Sequence, residues 1–265
     1  MTKSATRVAA DKVTFTQAEV TSAVALKAPI AAPVFTGNVG VGVTPETSGS
    51  NYNVLQIGQG GSLMAPTATE DMYVGSNVYR NSSNTNSYIV TEKASIYEQY
   101  NGEHYFNVAP SGSADAAISF AQGMKSSNAG IVTMPYQPAF SAYRNAGHVT
   151  SGVLVCNGEH FDTGGNHNTS NGRFTAPVAG KYMISTFHMC VNNAGTLDNK
   201  YYSVNVNGSI YKEVYNSSGG AVHHQFNWSG LIQLAANDYV TLNFGNFNIY
   251  AHHANYSTFS GHLIG

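Results

Sequence analysis

The stretch of sequence that decides the fold of this chain is residues 172–184, GRFTAPVAGKYMI. Gly172 supplies a turn because glycine tolerates a positive φ, and Arg173–Thr175 then continues as an extended segment. Pro177 lacks a backbone N–H and Gly180 permits a sharp bend, so both interrupt a ladder of strand hydrogen bonds. The pattern predicts a strand, a tight apolar corner and a second strand.

The second strand alternates between two kinds of side chain. Successive residues of a strand point to opposite faces. One face therefore carries Tyr182, Ile184, Thr186 and His188, and the other carries Met183, Ser185 and Phe187. Because the first of these faces must be buried against a second sheet, the sequence downstream is predicted to be all-β.

This stretch resembles the signature of the globular head of complement component one-q, a jelly roll of the tumour-necrosis-factor-like superfamily. Four further segments agree with the family in its order: residues 138–142, 153–155 before 161–162, 230–234 with 237–240, and 256–264. The resemblance covers about residues 135–265 and implies a C-terminal jelly-roll β-sandwich. It assigns a structural signature to Phe140, Gly172, Phe174, Pro177, Gly180, Tyr182, Asp238, Phe259 and Gly261.

The sequence departs from the family at one turn. The family usually has a glycine before the aspartate, whereas this chain has Asn237 before Asp238. Asparagine also reaches positive φ, so the turn is predicted to survive.

The composition limits the classes of partner. The chain has 265 residues, a formal net charge of −2 and only 10% charged residues, against roughly 25% in an average globular protein. Such a weak field favours neither nucleic acid nor an anionic membrane. No run approaches the ~20 apolar residues that span a bilayer, and no apolar signal region follows the N-terminus. We therefore expect no nucleic-acid partner, no membrane insertion and synthesis in a cytosol.

The two cysteines, Cys156 and Cys190, each lie in an apolar strand pattern. This placement favours buried free thiols. Nothing in their spacing resembles a disulfide framework or a metal-binding CxxC, although a disulfide between them stays open.

Residues 1–37 show no domain pattern. Thr16–Glu19 matches a capping box, and Val20, Ala23 and Val24 follow at helical spacing before Pro29. A helix of this length is marginal alone and would be stable only if several copies packed their apolar stripes together. A disordered leader is the alternative.

The next segment, residues 26–42, reads LKAPIAAPVFTGNVGVG. It resembles a segment that recurs in tail-fibre proteins of tailed bacteriophages, where it precedes a β-rich shaft. Residues 41–45, 52–58 and 60–63 resemble the next block of the same fibres. The resemblance implies a virion-attachment segment over 1–37 and a β-rich shaft domain over 38–134, before the tip domain over 135–265. The alternating valines and glycines of 39–43 suit strands that approach closely around an axis, which a trimer would bury.

Local signals place further strands. Asn101-Gly102 separates two alternating runs, which predicts a hairpin with a type I′ turn, and Asn207-Gly208 predicts a second one. Residues 72–74, 78–79 and 88–90 are predicted as short strands between polar loops.

No arrangement of residues predicts chemistry. The ten histidines show no metal-binding spacing, and the adjacent pairs 223–224 and 252–253 would point to opposite strand faces. An axial metal in a trimer stays open, but we predict no metal and no cofactor. Glu159 and Asp162 flank His160 and could act as a glycosidase pair, although a polar turn explains them as well. No nucleophile elbow or phosphate-binding loop is present, so we predict that the chain is not an enzyme.

The two resemblances together imply an all-β, elongated homotrimeric fibre with a short N-terminal helical or extended segment. The expected function is that of a tail fibre, a structural protein of the bacteriophage virion. Its N-terminal segment would bind tail, baseplate or neck proteins, and its tip would bind a glycan or protein of the host surface. A capsid or collar decoration fibre and a bacterial adhesin of the same jelly-roll family are the alternatives.

In the family's jelly roll both termini lie at the base, which places three loops at the far tip. In this sequence they are roughly residues 192–200, 216–222 and 246–256. Tyrosine and histidine offer flat apolar faces with a polar edge, which suits sugars or a surface protein. The residues expected to contact a receptor are Asp198, Lys200, Tyr250, His252, His253 and Tyr256. The alternative is that these loops only cap the trimer.

Overall fold

The structure is a computed structural model that describes residues 35, 37–147, 151–191, 200–216, 223–245, 248–249 and 253–265. The chain divides into two compact units, Met1–Thr133 and Met134–Gly265. All regular structure in the described residues is β-structure, and they contain no helix long and apolar enough to cross a membrane. The predicted attachment segment, 1–37, lies outside these residues apart from Phe35 and Gly37, and so does its capping box.

The N-terminal unit is built on one large sheet. Its strands are β1 (Val39–Val41), β2 (Tyr52–Ile57), β3 (Gly61–Pro66), β4 (Met72–Ser76), β5 (Tyr79–Arg80), β6 (Asn86–Ser87), β7 (Glu92–Tyr100), β8 (Glu103–Gly112), β9 (Ala121–Ser126) and β10 (Val132–Thr133). Eight of them form a sheet in the order β1-β2-β3-β4-β7-β8-β9-β10, and β5 pairs with β6. Only the β1–β2 pair in this sheet is parallel. The predicted Asn101-Gly102 hairpin is confirmed, with φ of 52° and 73° at its two central residues.

A loop folds over one face of this sheet and closes the core. Asn77 fixes the loop, since its side-chain Oδ1 accepts from Val90 N at 2.7 Å and its Nδ2 donates to the carbonyl oxygen of Glu92 at 3.1 Å. The predicted strand over 88–90 is wrong. Tyr88 instead donates its hydroxyl to Pro110 O at 2.7 Å and is almost fully buried. The cluster beneath the loop comprises Val54, Met64, Tyr73, Val78, Tyr88, Ala94, Ile96 and Ala109.

The C-terminal unit is a sandwich of two sheets. Its strands are β11 (Ala139–Tyr143), β12 (Gly152–Val153), β13 (Gly158–Thr163), β14 (His167–Asn168), β15 (Arg173–Thr175), β16 (Gly180–Val191), β17 (Lys200–Val206), β18 (Ser209–Asn216), β19 (His223–Leu234), β20 (Tyr239–Gly245), β21 (Asn248–Ile249) and β22 (Ser257–Leu263). One sheet has the order β13-β11-β22-β16-β19, with β21 on β16. The other has the order β14-β15-β20-β17-β18, with β12 on β20.

The deciding stretch folds as its pattern predicts. Strand β15 covers Arg173–Thr175, the corner follows, and β16 begins at Gly180. The predicted inward residues of β16 are all buried: Tyr182, Ile184, Thr186 and His188. Asn237 has a φ of 72°, so the turn before Asp238 survives without the family's glycine, and Asn207-Gly208 forms the second predicted hairpin.

Aromatic rings fill the space between the two sheets. Phe140 stacks on Phe174 with ring centroids 4.5 Å apart and meets Phe259 edge-to-face at 4.9 Å. Tyr182 packs edge-to-face on Phe174 at 5.5 Å. These predicted signature residues are buried completely or nearly so, and strands that are distant in sequence bring them together in one core.

Candidate functional site

The strand ends that flank the three predicted tip loops lie together at one end of the C-terminal unit. Val191 is the register partner of both His223 and Asn248, which brings the ends of β16, β19 and β21 together. On the other sheet, Lys200 pairs with Asn216, and the next residue of β17 pairs with the last residue of β20. Strand β11 begins at the opposite end of the sandwich, beside the last residues of β22.

Two of the predicted contact residues are brought together there. The rings of His253 and Tyr256 lie 5.8 Å apart at 58°, and Tyr256 N donates to His253 O at 3.1 Å. Met189 N donates to Tyr256 O at 2.8 Å, which fastens this turn to β16. His253 is exposed and Tyr256 half-buried, so the pair presents a small aromatic surface to solvent.

The structure places the backbone of only one of the other four predicted contact residues. Lys200 is the first residue of β17, and Asp198, Tyr250 and His252 lie outside the described residues. The predicted loop over 246–256 needs one correction. Asn248–Ile249 forms strand β21 on the end of β16, and Ile249 is fully buried in the core. The alternation of apolar and polar residues there was too short to predict a strand.

The core beneath this end holds His188. The alternation of β16 predicted that His188 is buried, but the sequence did not show that its ring nitrogens would lack hydrogen-bond partners in the described part of the chain. His188 has no exposed surface and meets Tyr202 and Phe244 edge-to-face at 5.4 Å and 5.1 Å. Neither ring nitrogen has a hydrogen-bond partner among the described residues. Burial lowers the pKa of His188 to about 3, because a charged imidazole cannot be solvated there. His188 is therefore neutral at physiological pH.

Both cysteines are free and buried in the structure, as predicted. Burial raises the pKa of Cys156 to about 12 and also raises the pKa of Cys190. Because the thiolate is the reactive form, neither thiol is poised for nucleophilic or redox chemistry.

The carboxylates considered as a glycosidase pair hold a turn. Glu159 Oε1 lies 2.8 Å from His167 Nδ1, and Asp162 Oδ2 accepts from His167 N at 2.8 Å. The His167 ring stacks on Phe140 at 5.4 Å and 4°. These contacts tie β13 to β14 and favour the polar-turn interpretation. The part of the chain that the structure describes contains no group of three or more His, Cys, Asp or Glu residues that could hold a metal ion.

The outward face of the sheet that contains β16 is almost free of fixed charge. By register, its outward residues are Ala139, Ser141, Tyr143, Phe161, Thr163, Lys181, Met183, Ser185, Phe187, Met189, Gln225, Asn227, Ser229, Leu231, Gln233, Thr258, Ser260 and His262. Only one of them, Lys181, is a lysine, arginine, aspartate or glutamate. Met183 and Phe161 line a shallow depression of about 420 Å³ near its middle. Phe161 and Leu231 are 53% and 51% exposed, so the single chain leaves apolar surface in water.

Comparison with known proteins assigns this unit to a fold family. Residues 139–264 match the family model of the C1q domain. This unit is a C1q-like jelly roll. Such domains are typically structural or ligand-binding rather than enzymatic, and they commonly form homotrimers.

Several solved structures are similar to the C1q-like unit. The globular domain of zebrafish complement 1qA is 16% identical, with a TM-score of 0.41, covering 49% of this chain and 98% of that one. Murine APRIL is 10% identical, with a TM-score of 0.38 and coverage of 48% and 99%. Eiger TNF from S. frugiperda is 10% identical, with a TM-score of 0.39 and coverage of 49% and 93%. No curated protein sequence gives a significant match.

Proposed function

We propose that the protein is a trimeric tail fibre of a bacteriophage, a structural protein whose C1q-like tip recognises the host cell surface. The observation that carries the proposal is the nearly uncharged outward face of the β16 sheet, which suits burial against other copies of the same unit. The tail-fibre resemblance of residues 26–63 supports the fibre role. Residues 1–37 would bind other proteins of the virion, which is where the protein would reside after synthesis in the host cytoplasm.

Three copies would bury this face by the hydrophobic effect. Its apolar side chains gain about 25 cal/mol for each Å² removed from water. A chain with 10% charged residues has few ion pairs to offer instead. C1q-like domains commonly form homotrimers, and the composition of this face fits that arrangement.

Replacing Met183 by lysine is expected to dissociate the C1q-like units. Met183 lines the depression between its neighbours Leu231 and His262. An unpaired ammonium buried there would cost several kcal/mol, so the dissociation constant should rise by about 100-fold. Sedimentation velocity over a dilution series would measure it. The matched control is Ile210→Lys, since Ile210 is 60% exposed on the other sheet. Equal dissociation curves for the two variants would contradict the assigned interface.

Host recognition is proposed to involve the exposed pair His253 and Tyr256. Replacing both by alanine should lower binding to the host by at least about tenfold, since a stacking contact is typically worth 1–3 kcal/mol. The trimer should stay intact. Point substitution is preferable to removing the whole loop, because Ile249 belongs to the core.

The binding test would apply labelled protein to a panel of bacterial strains and to a glycan array. Tyr136→Ala is the control, since Tyr136 is 67% exposed and shortly precedes β11, which begins at the opposite end of the sandwich. Binding by the double variant at the level of the unchanged protein would refute a recognition role for this pair. Immunogold labelling of residues 1–37 on intact particles would separate a tail fibre from a capsid or collar fibre.

A further inference from the structure

Another sheet face with little charge belongs to the N-terminal unit. The strand register aligns one residue from each of seven neighbouring strands in a row across the sheet, and every member of that row is apolar: Val39, Leu55, Leu63, Val74, Tyr97, Phe106 and Met124. In this single chain Val74 and Phe106 are 47% and 42% exposed. The row therefore forms a continuous apolar band facing away from the core of the unit.

The residues on either side of the row are apolar or polar, and almost none is charged. The rest of the face comprises Val41, Asn53, Ile57, Gly61, Ala65, Met72, Ser76, Lys93, Ser95, Gln99, His104, Val108, Ala121, Ser126 and Val132. Lys93 is the only lysine, arginine, aspartate or glutamate among these residues and the members of the row. A surface meant for water is about 25–35% charged, so this face differs sharply from a solvated one.

The opposite face of the same strands shows that charge is not simply missing from this unit. Lys125 Nζ lies 2.8 Å from Glu103 Oε2, on the side of β8 and β9 that faces away from the row. Glu98 accepts a hydrogen bond from Asn107 Nδ2 at 3.1 Å on that side. The scarcity of charge is therefore specific to the outward face, where Lys93 stands alone near the start of β7.

We propose that this face, which we call the shaft face, packs against the shaft face of other copies of the same chain. The N-terminal unit would then contribute a self-association surface of its own, separate from that of the C1q-like unit. This inference rests on the proposed trimer for its choice of partner. Tethering through the C1q-like units would hold the shaft faces at an effective concentration in the mM range, so they would meet one another before any other apolar partner.

The size of the shaft face fits this role. Eight strands about 4.8 Å apart and about 20 Å of strand length give an area of about 700 Å² per copy. A standard stable interface buries about 800 Å² per partner. A polyanionic partner such as nucleic acid or an anionic membrane would find a single complementary charge on this surface, that of Lys93.

Thiol labelling in the full-length protein tests the proposal directly. The two natural cysteines are buried, so a cysteine introduced as Val74→Cys would report on the shaft face. Ile131→Cys is the matched control, because Ile131 is 62% exposed in the same unit but outside that face. Light scattering would first establish that the sample is multimeric. In such a sample we expect a maleimide to modify the cysteine of the Val74→Cys variant at least about tenfold more slowly than that of Ile131→Cys, because a packed interface excludes the reagent. Adding Phe106→Lys should restore fast labelling.

Three outcomes would overturn the inference. Equal labelling rates in a multimeric sample would mean that the shaft face is open. Slow labelling in a sample with the 28.1 kDa mass of one chain would mean that the cover comes from the same chain. Slow labelling that persists with Phe106→Lys would mean that packing of this face is not the cause. None of these readings depends on the Met183→Lys or host-binding results, so failure here is distinguishable from failure of the proposed function.

Discussion

Replacing Gly172 by alanine is expected to lower the free energy of unfolding of the C1q-like unit by about 3 kcal/mol or more. Gly172 has a φ of 69°, which is strained for any residue with a Cβ. A Cβ there would also lie 2.3 Å from Leu154 O and 3.0 Å from Val155 Cα. These are backbone atoms, and Leu154 N is held by a 2.8 Å hydrogen bond to Leu242 O. The backbone at Leu154 and Val155 therefore cannot move away from the new Cβ without breaking hydrogen bonds of the sandwich.

The chain offers a control that separates backbone strain from collision. Gly165 has a φ of 68° and would place a Cβ in open space, with nothing within 4 Å. Gly165→Ala should therefore cost only the strain of the left-handed conformation, about 1–2 kcal/mol. Denaturant unfolding of both variants would give the two losses. If Gly165→Ala destabilised the unit as much as Gly172→Ala, contact with Leu154 would not explain the glycine at this position of the signature.

Replacing His188 by leucine is expected to remove much of the acid sensitivity of the C1q-like unit. The pKa of His188 is about 3 in the folded unit, against an ordinary value of 6.5. At pH values between 6.5 and 3, His188 is therefore protonated in the unfolded chain but neutral in the folded one. The free energy of unfolding decreases as the pH falls through this range. Between pH 7 and pH 5 the loss due to this one group is about 2 kcal/mol. Above about pH 8 this group contributes almost no pH dependence.

The readout is the slope of stability against pH, which does not require that leucine pack as well as histidine. Urea unfolding at several pH values should show a shallower fall for His188→Leu than for the unchanged protein. His160→Gln, which removes an exposed imidazole, is the control, and a fall as shallow as that of His188→Leu would mean that burial of His188 is not the cause. Identical slopes for His188→Leu and the unchanged protein would mean that the imidazole is protonated or hydrated in the fold.

The C1q-like unit was largely predictable because its signals are local. Gly172, Pro177 and Gly180 mark the ends of strands by their own backbone chemistry, and β16 alternates cleanly along its length. Asn237 could also be predicted, since its ability to reach positive φ is a property of the residue itself. Such signals require no knowledge of which strands pair.

The errors arose where distant contacts decide. Residues 88–90 have the composition of a strand, but the hydrogen bond from Tyr88 to Pro110 O and the contacts of Asn77 fold them over the sheet instead. Ile249 lies in a stretch rich in asparagine and tyrosine, and only its pairing with Cys190 places it in the core. Local patterns cannot show such pairings.

Local sequence signals predicted one of the candidate surfaces, and the other two depend on how distant strands pair. His253 and Tyr256 were predicted as receptor contacts from the order of the loops, and that role stays a prediction. The structure brings their rings to 5.8 Å from each other. The two uncharged sheet faces were not predicted, because the sequence showed only a low overall content of charge. Each face becomes visible when the register of five or more strands assembles single residues from far apart in the chain. The valine–glycine alternation at 39–43 indicated only the edge of the shaft face.

The two uncharged faces also bear on the media in which the protein could assemble. Dissolved salt screens the attraction between exposed charges, and at 0.1 M it largely removes the attraction between charges more than about 10 Å apart. These faces have almost no charges to screen. Fresh water and brine should therefore support the same quaternary state, and strongly hydrated anions such as sulfate should tighten it. An assembly of this kind would tolerate abrupt changes of salinity that disperse ion-paired complexes.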